Sequence, residues 1–163
     1  MKLALAFVRN KSGAAAAEMV LVTPLLMILI FGAFEAGNFF WNEHIVIKAV
    51  RDGARFAGRQ SFAKYSCAAI TDAAIETQIK NMTRTGQTTG GTARVAGWTD
   101  TQVSISVSCN ATTTQGIYTN HAGGAPVVTV STTLPYTPFF GTLGFDTSGL
   151  NLTASAQSAV MGI

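Results

Sequence analysis

A 16-residue run from Met19 to Phe34, mostly Leu, Ile, Val, Met and Phe, has a carboxylate at each end, Glu18 and Glu35. With Ala14–Ala17 before it and Ala36–Trp41 after it, the weakly polar to apolar stretch covers about 28 residues, more than the roughly 20 that a membrane span needs. The two carboxylates are 17 positions apart. A helix separates them by about 25 Å at 1.5 Å per residue, against a hydrocarbon layer of about 30 Å. Both can therefore reach opposite interfaces, and Phe39, Phe40 and Trp41 fall where aromatic rings are favoured. Thr23-Pro24 lies inside the run. The proline removes a backbone hydrogen bond, which either kinks the helix or is accommodated by neighbouring groups.

Charge fixes the expected orientation. Three of the eleven Lys/Arg residues, Lys2, Arg9 and Lys11, precede Gly13, with no acid among them. A basic flank keeps the N-terminus cytoplasmic, which would export the domain 42–163. Without residues 1–13 the remaining eight bases face eight acids. The basic character thus belongs to the leader and is no argument for nucleic-acid binding. Charged residues make up only 12% of the chain, about half the usual share of a soluble protein. A cleaved secretory signal fits the basic and apolar regions. It lacks a small-residue cleavage site after the run, which exits as Phe31-Gly32-Ala33-Phe34-Glu35-Ala36-Gly37.

The small residues stand before the run instead, in Lys11-Ser12-Gly13-Ala14-Ala15-Ala16-Ala17-Glu18-Met19. A carboxylate just inside the mouth of a span is costly unless its charge is offset. Cutting after Gly13 would create a cationic amine at Ala14 that could pair with Glu18 of a neighbouring copy. This arrangement resembles the processing site of type IV pilin-like proteins. Past the span the chain reads Ala49-Val50-Arg51-Asp52-Gly53-Ala54-Arg55. Together with the Phe31–Gly37 exit, it resembles the TadE-like family of tight-adherence pilus proteins, with Asp52 for the family's Glu and Met19 for its usual aromatic. Leu134–Phe140 and Leu150–Ala156 resemble that family's closing strands. The resemblance covers residues 11–60, with a looser echo at 127–160.

It implies a leader 1–13 removed by a prepilin peptidase, a transmembrane helix 14–41, and an extracytoplasmic α+β domain 42–163. It implies a minor pilin or pseudopilin in the bacterial inner membrane, and at the pilus or cell surface after assembly. The implied partners are other pilin-like subunits, the inner-membrane assembly machinery and the lipid bilayer. The implied processing residues are Gly13, Ala14, Glu18 and Met19. The membrane exit and helix motif comprise Glu35, Gly37, Arg51, Asp52, Gly53 and Arg55.

Patterning in the exported part agrees with α+β. Ile45, Ala49, Asp52 and Phe56 form one helical stripe. Lys48, Arg51, Arg55 and Arg59 form another, open to lipid phosphate, to acidic groups of an adjacent subunit, or simply to solvent. Gly53 inside a helix costs about 1 kcal/mol against Ala and would permit close helix contact. Ser66–Arg84 reads as a second helix through Ala68, Ile75, Ile79 and Met82, with Asp72 and Glu76 on its solvent side. Gly86–Gly91 reads as a linker without the Lys of a phosphate loop. Thr101–Cys109, Val127–Leu134 and Leu150–Val160 alternate with period two and read as strands of a small antiparallel sheet packed on the helices, giving a lollipop shape.

Cys67 and Cys109 either remain reduced and buried or, in an oxidising compartment, close a loop of about 43 residues worth roughly 4 kcal/mol. His44 and His121 stand in no metal-ligand spacing, and no nucleophile elbow occurs. No enzyme, cofactor or metal is expected. The competing reading is a single-pass anchor, uncleaved, displaying a binding module.

Overall fold

The structure, a computed structural model, describes residues 12–119, 121–141 and 149–162. The leader residues 1–11, with Lys2, Arg9 and Lys11, lie outside the described residues, as does Asp146. One helix, α1, runs from Ser12 to Gly58 and continues through Pro24. The anchor and the first helix of the domain are thus one element of 47 residues, about 70 Å long at 1.5 Å per residue. Thr23 supports the proline turn by donating its hydroxyl to the Met19 carbonyl at 2.7 Å.

Helix α2 spans Ala73–Thr85, later than the Ser66 start that apolar spacing suggests. Residues 66–72 are irregular for a local reason. The Ser66 hydroxyl accepts the Ala69 N–H at 3.0 Å, the Ser66 N–H donates to the Ala69 carbonyl at 2.8 Å, and Tyr65 bridges Ile70. These bonds hold the segment in a turn that competes with helix. Asp72 then caps α2, accepting the Ala74 N–H at 2.9 Å. Asp72 pairs with Lys64 as well, so it is a cap and an ion-pair partner rather than a free solvent-facing acid. At the other end Gly86 closes the helix in the left-handed conformation at φ +81°.

The Lys64 ammonium, and after it the Ala74 N–H, hold the Asp72 carboxyl below the usual carboxylate range. A depressed carboxylate contributes fully above its unfolded value, about 3.9, and loses that contribution as pH falls through the lower folded value. Protection of the Ala74 amide, its exchange rate relative to the intrinsic rate at each pH, is therefore expected to hold down to about pH 4 and to fall only in stronger acid.

Three strands, β1 (Val103–Asn110), β2 (Ala125–Pro135) and β3 (Asn151–Ala159), form an antiparallel sheet in the order β1-β2-β3. The register pairs Val107 with Val128 and Leu134 with Leu152. One face carries Val103, Val107, Val128, Val130, Thr132, Leu134 and Leu152, all buried. It packs on α1 through Val46, Ala49, Val50, Ala54 and Ala57, and α2 adds Ile75 and Ile79. Each fully buried Val, Leu or Ile contributes about 1.5–3 kcal/mol. The buried row on α1 is displaced by about one residue from the anticipated stripe: Ala49 is in it, while Ile45 and Phe56 are half-buried at its margin.

Small residues set the closeness of this packing. A Cβ on Gly53 would stand 2.0 Å from the Thr83 Oγ1 of α2, so α1 and α2 touch there. A Cβ on Gly58 would stand 2.8 Å from the Ala159 carbonyl oxygen. The Met161 N–H caps the Gly58 carbonyl at 2.8 Å. Trp98 fills the end of the core at 2% exposure and donates its indole N–H to Thr132 Oγ1 at 3.1 Å.

Cys67 and Cys109 are disulfide-bonded. The bond ties the turn before α2 to the end of β1, since Cys67 is not on the helix. Reduction is expected to lower the unfolding free energy by about 4 kcal/mol in the chain-entropy account. Paired thermal melts with and without a thiol reductant read that difference.

Candidate assembly face and membrane exit

From Ala15 to Ile30 every side chain of α1 is exposed, and burial begins at Phe31. The helix that carries it is, by length and composition, apolar enough to cross a membrane. Of the predicted processing residues, Gly13 is exposed with open space around its Cβ position, and Glu18 and Met19 are exposed. Ala14 lies in the first turn of α1. Gly13, Glu18 and Met19 are therefore on a helical stretch that the domain does not cover.

The membrane exit is built differently from a plain helix end. Glu35 is only 7% exposed. Its carboxylate accepts the Phe140 N–H at 2.8 Å, the Phe139 N–H at 3.1 Å and the Tyr136 hydroxyl. Asn38, one turn later on the same face, donates its amide to that hydroxyl at 2.7 Å. Phe39 stacks edge-on against the Tyr136 ring with centroids 5.1 Å apart. β2 ends at Pro135, one more backbone bond follows from the Tyr136 N–H to the Leu150 carbonyl at 3.0 Å, and Pro138, which has no N–H to donate, comes two residues later. The backbone N–H groups freed by the turn find a carboxylate, and the carboxylate finds donors.

Burial, and after it the hydrogen bond to Glu35, push the Tyr136 hydroxyl up to about 12. The phenol is thus a donor at any physiological pH. Its raised value means the contact is complete below the ordinary value of about 10 and fades as pH rises through the folded value.

Phe39 therefore faces the domain, while Phe40 and Trp41 stay exposed at 64% and 68%. Gly37 is exposed with nothing near its Cβ position. Asp52 pairs with Arg94 at 3.0 Å, and Gly53 is buried at the α1–α2 contact. Arg51 and Arg55 are exposed, with Lys48 and Arg59 on the same stripe. Among the described residues Lys64, Lys80, Arg84 and Arg94 each pair with an acid, whereas no stripe residue does. The unpaired cations of the domain thus lie on one face of α1.

Sequence reasoning located Glu35 and missed its partners, which lie about 100 residues away in the chain. An acid at the end of a span needs donors, and the Tyr136–Phe140 segment was in view only as a strand echo. The fold also brings His121 beside Cys67 and Cys109, with donor atoms within 4.8 Å of one another. The bonded sulfurs leave no thiolate there to hold a metal.

An exposed apolar helix of membrane length, continuous with a compact disulfide-stapled sheet domain, defines an α+β protein with one candidate membrane span among its described residues. Its N-terminal segment is TadE-like: residues 13–55 match the family model described as TadE-like protein. The match covers about a quarter of the chain, takes in nearly all of α1 and supports a part in Tad pilus assembly. No curated protein and no solved structure matches the chain.

Proposed function

We propose that this protein is a minor pilin- or pseudopilin-type structural subunit of a tight-adherence pilus, serving assembly and surface attachment, and not an enzyme. It resides in the bacterial inner membrane with its N-terminus cytoplasmic and residues 42–163 periplasmic. A prepilin peptidase removes residues 1–13, and the new Ala14 amine of one copy pairs with Glu18 of another, setting register. The helix 14–41 packs against other pilin-like subunits through its exposed stretch Ala15–Ile30. The unpaired stripe of Lys48, Arg51, Arg55 and Arg59 faces acidic groups of a neighbouring subunit.

One observation carries this reading: the TadE-like match falls on the helix whose first half the domain leaves uncovered, and Glu18 lies in that uncovered half. Among the described residues the exposed Glu18 carboxylate makes no hydrogen bond or ion pair, which suits an acid reserved for another chain. The test is Glu18→Leu in cells that assemble the pilus. Membrane insertion is expected to persist while recovery of the protein in sheared filaments or in crosslinks to neighbouring subunits is lost. Unchanged recovery would favour an uncleaved anchor carrying a periplasmic binding module.

A further inference from the structure

The domain meets the helix lower than a simple stalk-and-head arrangement requires. Ala15–Phe34 is twenty residues, about 30 Å of helix at 1.5 Å per residue, which matches the hydrocarbon thickness of about 30 Å. Glu35 then stands at the outer boundary, and Phe31 lies about 6 Å inside it. The Phe140 ring packs on the Phe31 ring with centroids 5.1 Å apart, and Phe139 packs edge-on against Phe140 at 4.8 Å. The Glu35 carboxylate fixes this depth by holding the Phe139 and Phe140 N–H groups. Phe139 itself is 72% exposed. Beside the carboxylate an apolar cleft of about 270 Å³ is lined by Gly32, Ala36, Phe39, Phe40, Tyr136 and Leu150.

We propose that the loop 136–141 is a second membrane contact, a short interfacial wedge that seats Phe139 among the lipid headgroups and upper acyl chains of the outer leaflet. The occupant is lipid because the loop is continuous with the exposed face of the span and presents an aromatic ring at the level where such rings are favoured. Its turn offers no unsatisfied N–H at positions 139 and 140, since both are spent on Glu35, so lowering it into the interface exposes little bare backbone. The domain is thereby held against the bilayer at two points, helix and loop, and its orientation is fixed before any assembly. The inference rests on α1 spanning the membrane, and it holds whether or not the leader is removed.

The test places a tryptophan at Phe139 in the full chain with Trp41 changed to Phe, at one copy per nanodisc so that no second copy can cover the loop. The remaining Trp98 is buried, and the Trp41→Phe parent supplies its background. Discs of phosphatidylethanolamine and phosphatidylglycerol carry phosphatidylcholine brominated at shallow or deep acyl positions. Phe139→Trp emission is expected to be quenched, more by shallow than by deep bromines, with the parent's melting transition kept. Leu25→Trp in the same background is expected to be quenched most by deep bromines. A silent Phe139→Trp beside a quenched Leu25→Trp overturns the wedge alone. Both silent overturns the span, and the wedge with it. Quenching of Phe139→Trp that deep bromines dominate also overturns the proposal, because the ring would then lie in the bilayer interior.

Discussion

Glu35→Leu is expected to destabilise the protein by about 3 kcal/mol, although hydropathy alone predicts the opposite. On insertion scales, leucine in a span is favourable by about 0.5 kcal/mol and charged residues cost several. That reasoning treats Glu35 as a solitary charge near the end of an apolar helix. In the fold the carboxylate is the shared acceptor of the Tyr136 hydroxyl and of the Phe139 and Phe140 N–H groups. Hydrogen bonds to a charged group are worth about 1.5–3 kcal/mol each, and donors left buried without an acceptor add to the loss. Partial rehydration of the released loop returns some of it, which sets the net figure. The Phe139 and Phe140 amides should lose exchange protection before the sheet does. Glu35→Gln, which keeps one acceptor oxygen, should fall between. Denaturant unfolding in nanodiscs, with amide exchange alongside, measures both effects. A Glu35→Leu protein as stable as the parent would show that the loop does not depend on the carboxylate.

Gly53→Ala is the second case in which a local rule and the fold disagree in sign. Alanine is better than glycine in a helix interior by about 1 kcal/mol, so propensity predicts a gain. The added Cβ would lie 2.0 Å from Thr83 Oγ1 and 3.1 Å from Thr83 Cβ. Thr83 cannot easily turn away, because it is fully buried and its hydroxyl donates to the Ile79 carbonyl at 2.8 Å. Helix α2 must move, at an overpacking cost of about 1–3 kcal/mol. That cost exceeds the propensity gain in most of its range, and the expected net is a loss of about 1 kcal/mol, with α2 the first element to exchange. Thr83→Ala removes the hydroxyl and should recover much of the loss in the double variant, a coupling read by a mutant cycle. Gain of stability in Gly53→Ala alone would mean that α1 and α2 do not touch as closely as the fold places them.

These two residues also show where the sequence was readable. Gly53 is legible as a glycine that permits close helix contact, because it stands inside a helix at a cost of about 1 kcal/mol, whereas nothing in the sequence points to Thr83 as its partner. The strands were legible because period-two alternation survives any tertiary context: Val103, Ile105, Val107 and Cys109 do share a face, as do Val128, Val130, Thr132 and Leu134. The start of α2 was misread because apolar spacing ran back to Ala68, while the stop signal was a set of Ser66 bonds and the Asp72 cap, both short-range and polar. The Cys67–Cys109 pairing was open on spacing alone and needed the fold to bring the two together.

The basic stripe was legible as a stripe. Its distinction from the other bases, which all have acidic partners among the described residues, depends on contacts such as Asp52–Arg94 across 42 positions. The Glu35 site was half legible for the same reason. A carboxylate ending a span announces a need for donors, but periodicity cannot say that they come from the turn after β2.

Removal of the segment before Ala14 is what gives Glu18 a cationic partner, and the mass of the mature N-terminus decides whether it occurs. Protein extracted from native membranes is predicted to begin at Ala14, and Gly13→Leu is predicted to leave the same chain at full length. Recovery of wild-type protein that still carries its first thirteen residues would contradict the account.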